Sequence, residues 1–484
     1  MKQTQMTDTD RFLFSRTGLV CVAVIAFVAS WPMWVFQTQF VFADTQSYIT
    51  GGRAIWLTIW DLVPDLSAAP ATSDGGQPAV HSGNLTTNET GGSTVGRSFL
   101  YSMLVYAGYG LFGLWSLPIV QGGVAALFAL AFVDRHMLAR PGVLIAGGIY
   151  VVFLTTLPWF VAFQMPDLYA AVPVLFAALL YARLDAFSPW QRALFVSLAA
   201  LSVSFHYGYP PLMLGAAAIV LLVRLLEKRL KVWVLVAALV PVAFAPLVNL
   251  GASSVVLDTT SATPQRLPIV LARSLADGPA FWYLSEACPE AGHAMCEAFG
   301  DNIPRGIGEL LWDDDGVNSL TATQVARIRA EEMTVLWEAY KAYPVAQTRS
   351  LLGNAVKQAV IFGTDNIEAG QFDEATSRMG FLAPGSAPIA ALRTFDGLVM
   401  WATWAGIVVC FAVALSGRVR REHAALLWIS LAGLLINAAI FGGLSAPVER
   451  YQSRVIWILP MLAAMLLSAA RSKRTVSGRN SPDT

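Results

Sequence analysis

Residues 17–43 read TGLVCVAVIAFVASWPMWVFQTQFVFA and contain no charged side chain, and the residue that follows is Asp44. About 20 apolar residues are enough to cross the hydrocarbon layer of a bilayer. A signal peptide has a shorter apolar core and a small-residue cleavage site, so we interpret this run as an uncleaved first transmembrane helix. Ionisable residues next to an apolar layer are costly, and Asp44 is therefore a candidate functional residue.

The composition of the whole chain agrees with a membrane location. Of 484 residues, 56% are hydrophobic and 13% are charged, whereas ordinary soluble domains have about 25% charged residues. The formal net charge is zero, so no overall field attracts nucleic acid. We find no dinucleotide fingerprint, P-loop or zinc-type Cys/His spacing. The sequence predicts an all-α integral membrane protein that has the lipid bilayer as a partner and does not bind nucleic acid.

About ten apolar segments are long enough to span a bilayer. They are residues 17–43, 116–133, 143–161, 168–184, 193–207, 210–226, 232–250, 397–415, 424–443 and 454–470. The run 98–114, SFLYSMLVYAGYGLFGL, is rich in tyrosine and interrupted by glycine. We interpret it as an interfacial helix, because counting it as a span would invert every later loop and break the positive-inside rule.

With the N-terminus inside, the basic residues collect in the inner loops, as that rule requires. The predicted organisation is a transmembrane bundle at 1–250 with a first outer loop at 44–97, a mostly helical outer domain at 251–396, transmembrane helices at 397–470 and a cytoplasmic tail at 471–484. The first outer loop begins with an amphipathic piece, YITGGRAIWLTIW, which predicts a juxtamembrane helix. We expect an inner membrane protein of a bacterium with both termini in the cytoplasm.

Two cysteines, Cys288 and Cys296, lie in the polar stretch ACPEAGHAMCEAF of the outer domain. Such a pair suits a disulfide if the loop faces an oxidising compartment. Two unpaired thiols are the alternative, because the sequence does not reveal the distance between them.

The remaining candidate residues share one property: each lies at the predicted outer end of a helix or in an outer loop. They are Asp44, Arg97, Asp167, His206, Glu449, Arg450 and Arg454. Each has a structural alternative. The two aspartates can cap helices, His206 can be an interfacial aromatic residue, and the arginines can extend to lipid phosphates.

Taken together, these residues favour chemistry at the outer membrane surface. A carboxylate can take the proton of a hydroxyl group, and guanidinium groups match the oxygens of a phosphate. Transfer of a sugar from a lipid phosphate needs both. The spacing of Arg450 and Arg454 places them on one face of a helix that begins by Arg450.

These motifs resemble the GT-C superfamily of membrane glycosyltransferases. The resemblance rests on Asp44 followed by Tyr48 and a juxtamembrane helix, on GRSFLYSMLVYAGYGLFG from Gly96, on MPD at Asp167, and on ERYQSR, which includes Tyr451. Relatives include protein O-mannosyltransferases and the aminoarabinose transferases that modify lipid A.

This resemblance implies an inverting transfer of a hexosyl or pentosyl group from a polyprenyl-phosphate carrier, on the periplasmic side. It also implies Asp44 as the base and Asp167 as a second carboxylate. Lipid-phosphate binding is expected of Arg450 and Arg454, with Arg97, His206, Tyr48, Glu449 and Tyr451 in the same cleft. Asp44 is followed by Thr45 rather than a second acid, and Asp167 stands alone, so no metal or other cofactor is indicated. The acceptor is left open among saccharides, lipids and proteins.

Three other functions are compatible with parts of the sequence. A transporter or flippase of lipid-linked sugars would place its site near the bilayer midplane, often with inverted repeats. A membrane scaffold with a binding domain does not explain acids and arginines on one side. A ligase or polymerase of lipid-linked saccharides would use outer arginines but does not require an aspartate directly after the first helix.

Overall fold

The fold is that of an all-α membrane protein with a small antiparallel sheet. The computed structural model describes residues 12–62, 98–138, 140–256, 260–263, 266–288, 290–373, 376 and 378–470. Six helical segments in these ranges have the length and apolarity to cross a membrane. They are Phe99–Leu130, Tyr209–Leu226, Val232–Val256, Ala387–Leu415, Arg421–Gly443 and Glu449–Ala469.

These six segments contain or overlap six of the ten predicted spans. Three shorter apolar helices, Arg16–Ala29, Pro141–Leu154 and Pro166–Ala182, correspond to three more. The remaining predicted span, 193–207, overlaps the helix Pro189–Ser204. The total of ten spans stays a prediction.

The N-terminal half contains the following elements. They are α1 (Arg16–Ala29), α2 (Trp31–Phe36), β1 (Gln39–Val41), α3 (Ala43–Leu62), α4 (Phe99–Phe112), α5 (Ser116–Leu130), α6 (Arg135–Leu138), α7 (Pro141–Leu154), α8 (Leu157–Ala162), α9 (Ala171–Ala182), α10 (Pro189–Ser204), α11 (Tyr209–Leu226) and α12 (Val232–Val256). Short 3₁₀ helices lie at Gly113–Trp115, Pro166–Ala170 and Leu184–Ala186.

The apolar run that opens the chain is not one helix. Helix α1 ends at Ala29, Pro32 lies in the first turn of α2, and β1 follows. Proline has no N–H to donate and is best tolerated in the first turn of a helix, which favours the start of a new helix there. Asp44 therefore lies in the first turn of α3, the predicted juxtamembrane helix, rather than at the end of a long first span.

Helices α3 and α4 pack against each other. A side chain at Gly52 would overlap the backbone oxygen of Ser102, so this glycine permits the close approach. Helix α4 ends at Gly113, whose φ of 63° is in the left-handed region. This break separates α4 from α5, although the two helices together form one long apolar segment. That residues 98–114 form an interfacial helix stays a prediction.

The C-terminal half contains the remaining elements. They are α13 (Ile269–Asp277), α14 (Pro279–Ala287), α15 (Ala294–Phe299), α16 (Ile307–Leu311), α17 (Ala322–Ala342), α18 (Pro344–Val360), β2 (Glu368–Asp373), β3 (Arg378–Phe381), α19 (Ala387–Leu415), α20 (Arg421–Ala438), α21 (Glu449–Ile456) and α22 (Ile458–Ala469). A 3₁₀ helix lies at Val317–Ser319, and a π-helical turn, Ala439–Gly443, extends α20.

The predicted outer region is helical up to Val360 and has a hydrophobic core of its own. Leu271, Leu284, Leu310 and Val335 belong to this second core, which is separate from the main core of the bundle. Its last part is tied to the N-terminal half, because β2 pairs with both β1 and β3 in antiparallel fashion. The boundaries at 251 and 396 fall inside α12 and α19, so long helices lead into and out of this region.

Candidate functional site

The centre of the candidate site is an ion-paired cluster of Asp167, Arg450 and Arg454. Asp167 lies in the 3₁₀ helix Pro166–Ala170, between α8 and α9. Its Oδ1 is 3.3 Å from Nη1 of Arg454 and 3.5 Å from Nε of Arg450. The side chain of Asp167 is 4% exposed, that of Arg454 1% and that of Arg450 12%. The cluster therefore lies in a region of low dielectric, where each charge interacts strongly.

Helix α21 presents the two arginines together. It begins at Glu449, so Arg450 and Arg454 are one turn apart on the same face. Trp457 supports this helix by donating from its indole N–H to the carbonyl of Arg454 at 2.9 Å. The two arginines thus lie on one face of the helix, as their spacing in the sequence predicts.

Asn437 of α20 holds Arg454 in place and was not identified from the sequence. Its Oδ1 accepts a hydrogen bond from Nη2 of Arg454 at 3.3 Å. Its amide donates to the carbonyl of Tyr451 at 2.7 Å and to Oε1 of Gln452 at 3.1 Å. A single asparagine inside the apolar run LAGLLINAAI was the available signal, because a buried amide in such a run needs polar partners.

Aromatic rings surround both guanidinium groups. The Cζ of Arg454 is 3.9 Å from the centre of the Phe441 ring and 4.9 Å from that of Tyr451. The Cζ of Arg450 is 4.2 Å from the centre of the Phe42 ring. Contacts of this kind attract the cation electrostatically and exclude water from its flat faces.

The ring of His206 lies among the same aromatic rings. Its ring lies 5.6 Å from Phe441 and 5.0 Å from Tyr209. Tyr209 also donates a hydrogen bond from its hydroxyl to the carbonyl of Pro166 at 2.8 Å, next to Asp167. The predicted histidine thus lies beside the site, three residues before α11 begins.

The segment that carries Asp44 is attached to the segment that carries Asp167. Gln164 donates its backbone N–H to the carbonyl of Phe40 at 2.8 Å. Thr45 donates from Oγ1 to the carbonyl of Gln164 at 3.2 Å and accepts from the N–H of Phe42 at 3.0 Å. Asp44 is partly exposed, and its charge acts on Arg450 together with that of Asp167. The structure thus brings both predicted carboxylates to one arginine.

Buried tyrosines form the wall on the side of α3. Tyr48, one turn after Asp44, packs its ring edge-on against Tyr101 at 4.8 Å. Tyr101 in turn lies 6.1 Å from Tyr169, two residues after Asp167. The hydroxyl oxygens of Tyr101 and Tyr169 are buried without a hydrogen-bond partner among the described residues.

Several guanidinium nitrogens at the site also lack hydrogen-bond partners among the described residues. Nε and Nη1 of Arg450 and Nε of Arg454 are buried and make no hydrogen bond with any part of the chain that the structure describes. Leaving a buried charged donor unsatisfied is costly. An anion with several oxygens that entered the site would satisfy these donors and would be attracted by the two neighbouring guanidinium groups.

Glu449 does not join the arginine cluster, although it was expected in the same cleft. Its carboxylate lies against Gly363, where an added Cβ would overlap Oε2, and close to Asp396. The next residue, Arg450, faces Asp167, because neighbouring residues on a helix point about 100° apart. Glu449 therefore lies on the side of α21 that is turned towards residues 363–396.

Three other predicted residues, Arg97, Cys288 and Cys296, do not belong to the cluster as the structure describes it. Arg97 lies outside the described residues. Cys288 and Cys296 are joined by a disulfide that links the end of α14 to α15. It lies within the second hydrophobic core, and both residues belong to the predicted outer domain.

Metal binding and similarity to known proteins complete the description of the site. Within the ranges that the structure describes, no group of three or more His, Cys, Asp or Glu residues could hold a metal ion. Comparisons of the chain with family models, curated proteins and solved structures found no match. The function must therefore be argued from the geometry of the site.

Proposed function

We propose that the protein is a membrane glycosyltransferase of the GT-C type, which moves a sugar from a polyprenyl-phosphate carrier to an acceptor hydroxyl at the outer membrane face. The observation that carries this proposal is the pair of buried arginines, Arg450 and Arg454, with unpartnered guanidinium nitrogens. Asp167 pairs with both cations through one oxygen atom, and Asp44, whose charge also acts on Arg450, is partly exposed. A phosphate group has the charge and the oxygens to complete the cluster.

The two carboxylates differ in burial, and this supports different roles. Asp44 is partly exposed at the start of α3, where an acceptor could reach it. Asp167 is 3% exposed and already engaged by both arginines. We therefore assign Asp44 as the general base and Asp167 as the residue that positions the phosphate-binding arginines.

The reaction follows from these assignments. The acceptor oxygen attacks the anomeric carbon of the donor while Asp44 takes the hydroxyl proton. The bond between that carbon and the phosphate oxygen breaks, and the phosphate leaves with the electron pair. Attack opposite the leaving group inverts the configuration at the anomeric carbon. Arg450 and Arg454 stabilise the negative charge that develops on the departing phosphate.

The position of the cluster disfavours a transporter. Arg450 lies in the first turn of α21, at the end of the apolar segment Glu449–Ala469. Transporter sites usually lie near the bilayer midplane, on interrupted helices. A ligase or polymerase of lipid-linked saccharides would share the phosphate site, and its product distinguishes it: a joined polymer rather than a single transferred sugar.

Lysine substitutions of the two arginines test the phosphate site. Arg450→Lys and Arg454→Lys retain the charge but lose the planar fork, so each is expected to weaken binding of polyprenyl monophosphate about tenfold or more. Binding would be measured in nanodiscs, and sugar transfer in the same samples.

Arg224→Lys is the matched control, because Arg224 is also a buried arginine paired with an aspartate, Asp185. It is expected to bind polyprenyl monophosphate like the wild type. Wild-type affinity in both Arg450→Lys and Arg454→Lys would contradict the phosphate assignment. If the wild type bound the carrier but transferred no sugar, the assignment as a glycosyltransferase would be wrong. The phosphate site would then belong to a protein that only binds the carrier.

A further inference from the structure

Helix α18 has its polar side chains turned towards the protein. Gln347 accepts a hydrogen bond from the hydroxyl of Ser274 at 2.6 Å. Gln358 donates to the carbonyl of Val448 and accepts from its N–H, both at 2.9 Å. Asn354 donates to Asp277 at 2.9 Å. The inner face of this helix is therefore a polar one, with its partners in α13 and directly before α21.

The opposite face of α18 is apolar and exposed. Its apolar side chains recur every four to seven residues, and they are Val345 (79% exposed), Leu352 (62%), Val356 (67%) and Val360 (53%). A surface helix of a soluble domain shows the reverse arrangement, with its apolar stripe towards the core. Apolar residues outside and polar residues inside are instead the arrangement expected where the surroundings are lipid.

The packing of α18 places it at the level of a membrane-spanning segment. It lies against the π-helical turn Ala439–Gly443, which is the last part of the candidate span Arg421–Gly443. Gly442 permits this contact, because a Cβ there would overlap the side chain of Gln358. The hydrogen bonds to Val448 place α18 at the same end of the bundle as Arg450.

Aromatic and basic residues accompany the apolar face. Trp337 and Tyr340, exposed at the end of α17, stack with ring centres 5.7 Å apart. Tryptophan and tyrosine concentrate at the level of the lipid headgroups. Arg349 and Lys357 are exposed on α18 itself, and such side chains extend from an apolar surface to lipid phosphates.

We propose that α18, together with Trp337 and Tyr340, lies in the interfacial layer of the bilayer, in the leaflet next to the Asp167 cluster. An anionic phospholipid surface complements both the apolar side chains and the cations. A second copy of the chain fits less well, because a two-fold interface would bring the same cations of both copies together. The helix then belongs to the membrane interface, rather than to a domain that stands in water.

Spin labels can measure the surroundings of this face directly. In a variant with Cys21→Ala and Cys410→Ala, and with the Cys288–Cys296 disulfide left oxidised, a single label would be attached at Leu352→Cys or at Val356→Cys. The protein would be placed in nanodiscs of phosphatidylglycerol and phosphatidylcholine. We expect collisions with oxygen to exceed those with a water-soluble nickel chelate several-fold at both positions.

Thr323→Cys is the control, because Thr323 is exposed near the start of α17. Its label should collide more with nickel than with oxygen. Equal nickel accessibility at positions 352, 356 and 323 would show that the face lies in water and would overturn the proposal. Shielding of positions 352 and 356 from both reagents would also overturn it, because that result means a protein partner or a second copy covers the face.

Discussion

One carboxylate meets two cations at each end of α9, but the two clusters differ in geometry. At one end, Asp185 binds Nη2 of Arg224 through Oδ2 at 2.6 Å and Nζ of Lys231 through Oδ1 at 3.0 Å. Each oxygen therefore holds its own cation at hydrogen-bond distance. At the other end, Arg450 and Arg454 both approach Oδ1 of Asp167, at 3.5 and 3.3 Å.

The two clusters also differ in their access to water. The side chains of Asp185 and Lys231 are 30% and 57% exposed, so solvent can complete their coordination. Burial acts to raise the pKa of Asp185, but its hydrogen bonds with Lys231 and Arg224 outweigh this and lower it. In the Asp167 cluster, by contrast, the three side chains are at most 12% exposed. The same three kinds of charge thus make a partly solvated tether in one place and, in the other, a buried cluster that we propose binds a phosphate.

The largest expected effect is on the rate of sugar transfer, which distinguishes a catalytic carboxylate from a structural one. Asp44→Asn removes the proposed base, and loss of a general base typically costs about 10²- to 10⁴-fold in rate. Turnover would be measured on purified protein whose binding of polyprenyl monophosphate is checked in parallel. Asp185→Asn is the control and should retain turnover within about twofold. If Asp44→Asn turned over like the wild type, Asp44 would not be the base.

A second expected effect is on stability and compares the two central carboxylates. Asp167→Asn removes the buried carboxylate that both guanidinium groups contact, which we expect to cost about 3–5 kcal/mol of unfolding free energy. Asp185→Asn should cost less, about 1–2 kcal/mol, because Lys231 and the carboxyl group itself are partly exposed and can be solvated, although Arg224 is buried. Unfolding by denaturant in detergent would measure both.

Ligand rescue sharpens this second comparison. Polyprenyl monophosphate should raise the melting temperature of Asp167→Asn, because the phosphate would replace the missing negative charge. The same ligand should leave the melting temperature of Asp185→Asn no more shifted than that of the wild type. Equal stability losses in the two variants, with no rescue of either, would show that the clusters are equivalent.

The smallest expected effect concerns Asp134, which like Asp185 lies at the end of the bundle away from Asp167. Burial alone would raise the pKa of Asp134, but hydrogen bonds from His423 at 2.8 Å and from two backbone N–H groups lower it from 3.8 to about 2. A carboxyl with a depressed pKa stabilises the fold above its unfolded pKa. The contribution is therefore present at neutral pH and is lost as the pH falls from about 4 to about 2.

Because the side chain of Asp134 is still 16% exposed, solvent screening limits this contribution to about 1–2 kcal/mol. Asp134→Asn should melt at a lower temperature than the wild type at pH 7, and the difference should shrink as the pH approaches 2. Melting curves at pH 7, 5, 3 and 2 would measure it. A difference that stays constant over this range would mean that the charge of Asp134 does not contribute.

Some residues of the candidate site could be predicted from the sequence of a single helix. Arg450 and Arg454 were predicted to share a face, and they do, because helical periodicity is a local property of the chain. Asn437 was missed, since its role depends on α20 and α21 lying side by side. The orientation of Glu449 was also not predictable, because the direction of a helix face depends on what packs against it.

By itself, the sequence determined the all-helical membrane class, most of the apolar segments, and the presence of acids and arginines at helix ends. These properties follow from composition and periodicity over neighbouring residues. The tertiary structure decided the rest. In the structure, the run 17–43 is interrupted near Pro32, where a second helix begins. The strand Gln39–Val41 pairs with Glu368–Asp373, and Thr45 makes a hydrogen bond with Gln164. Contacts between residues so far apart in the chain leave no periodic signal, and they alone bring Asp44, Asp167 and Arg450 together.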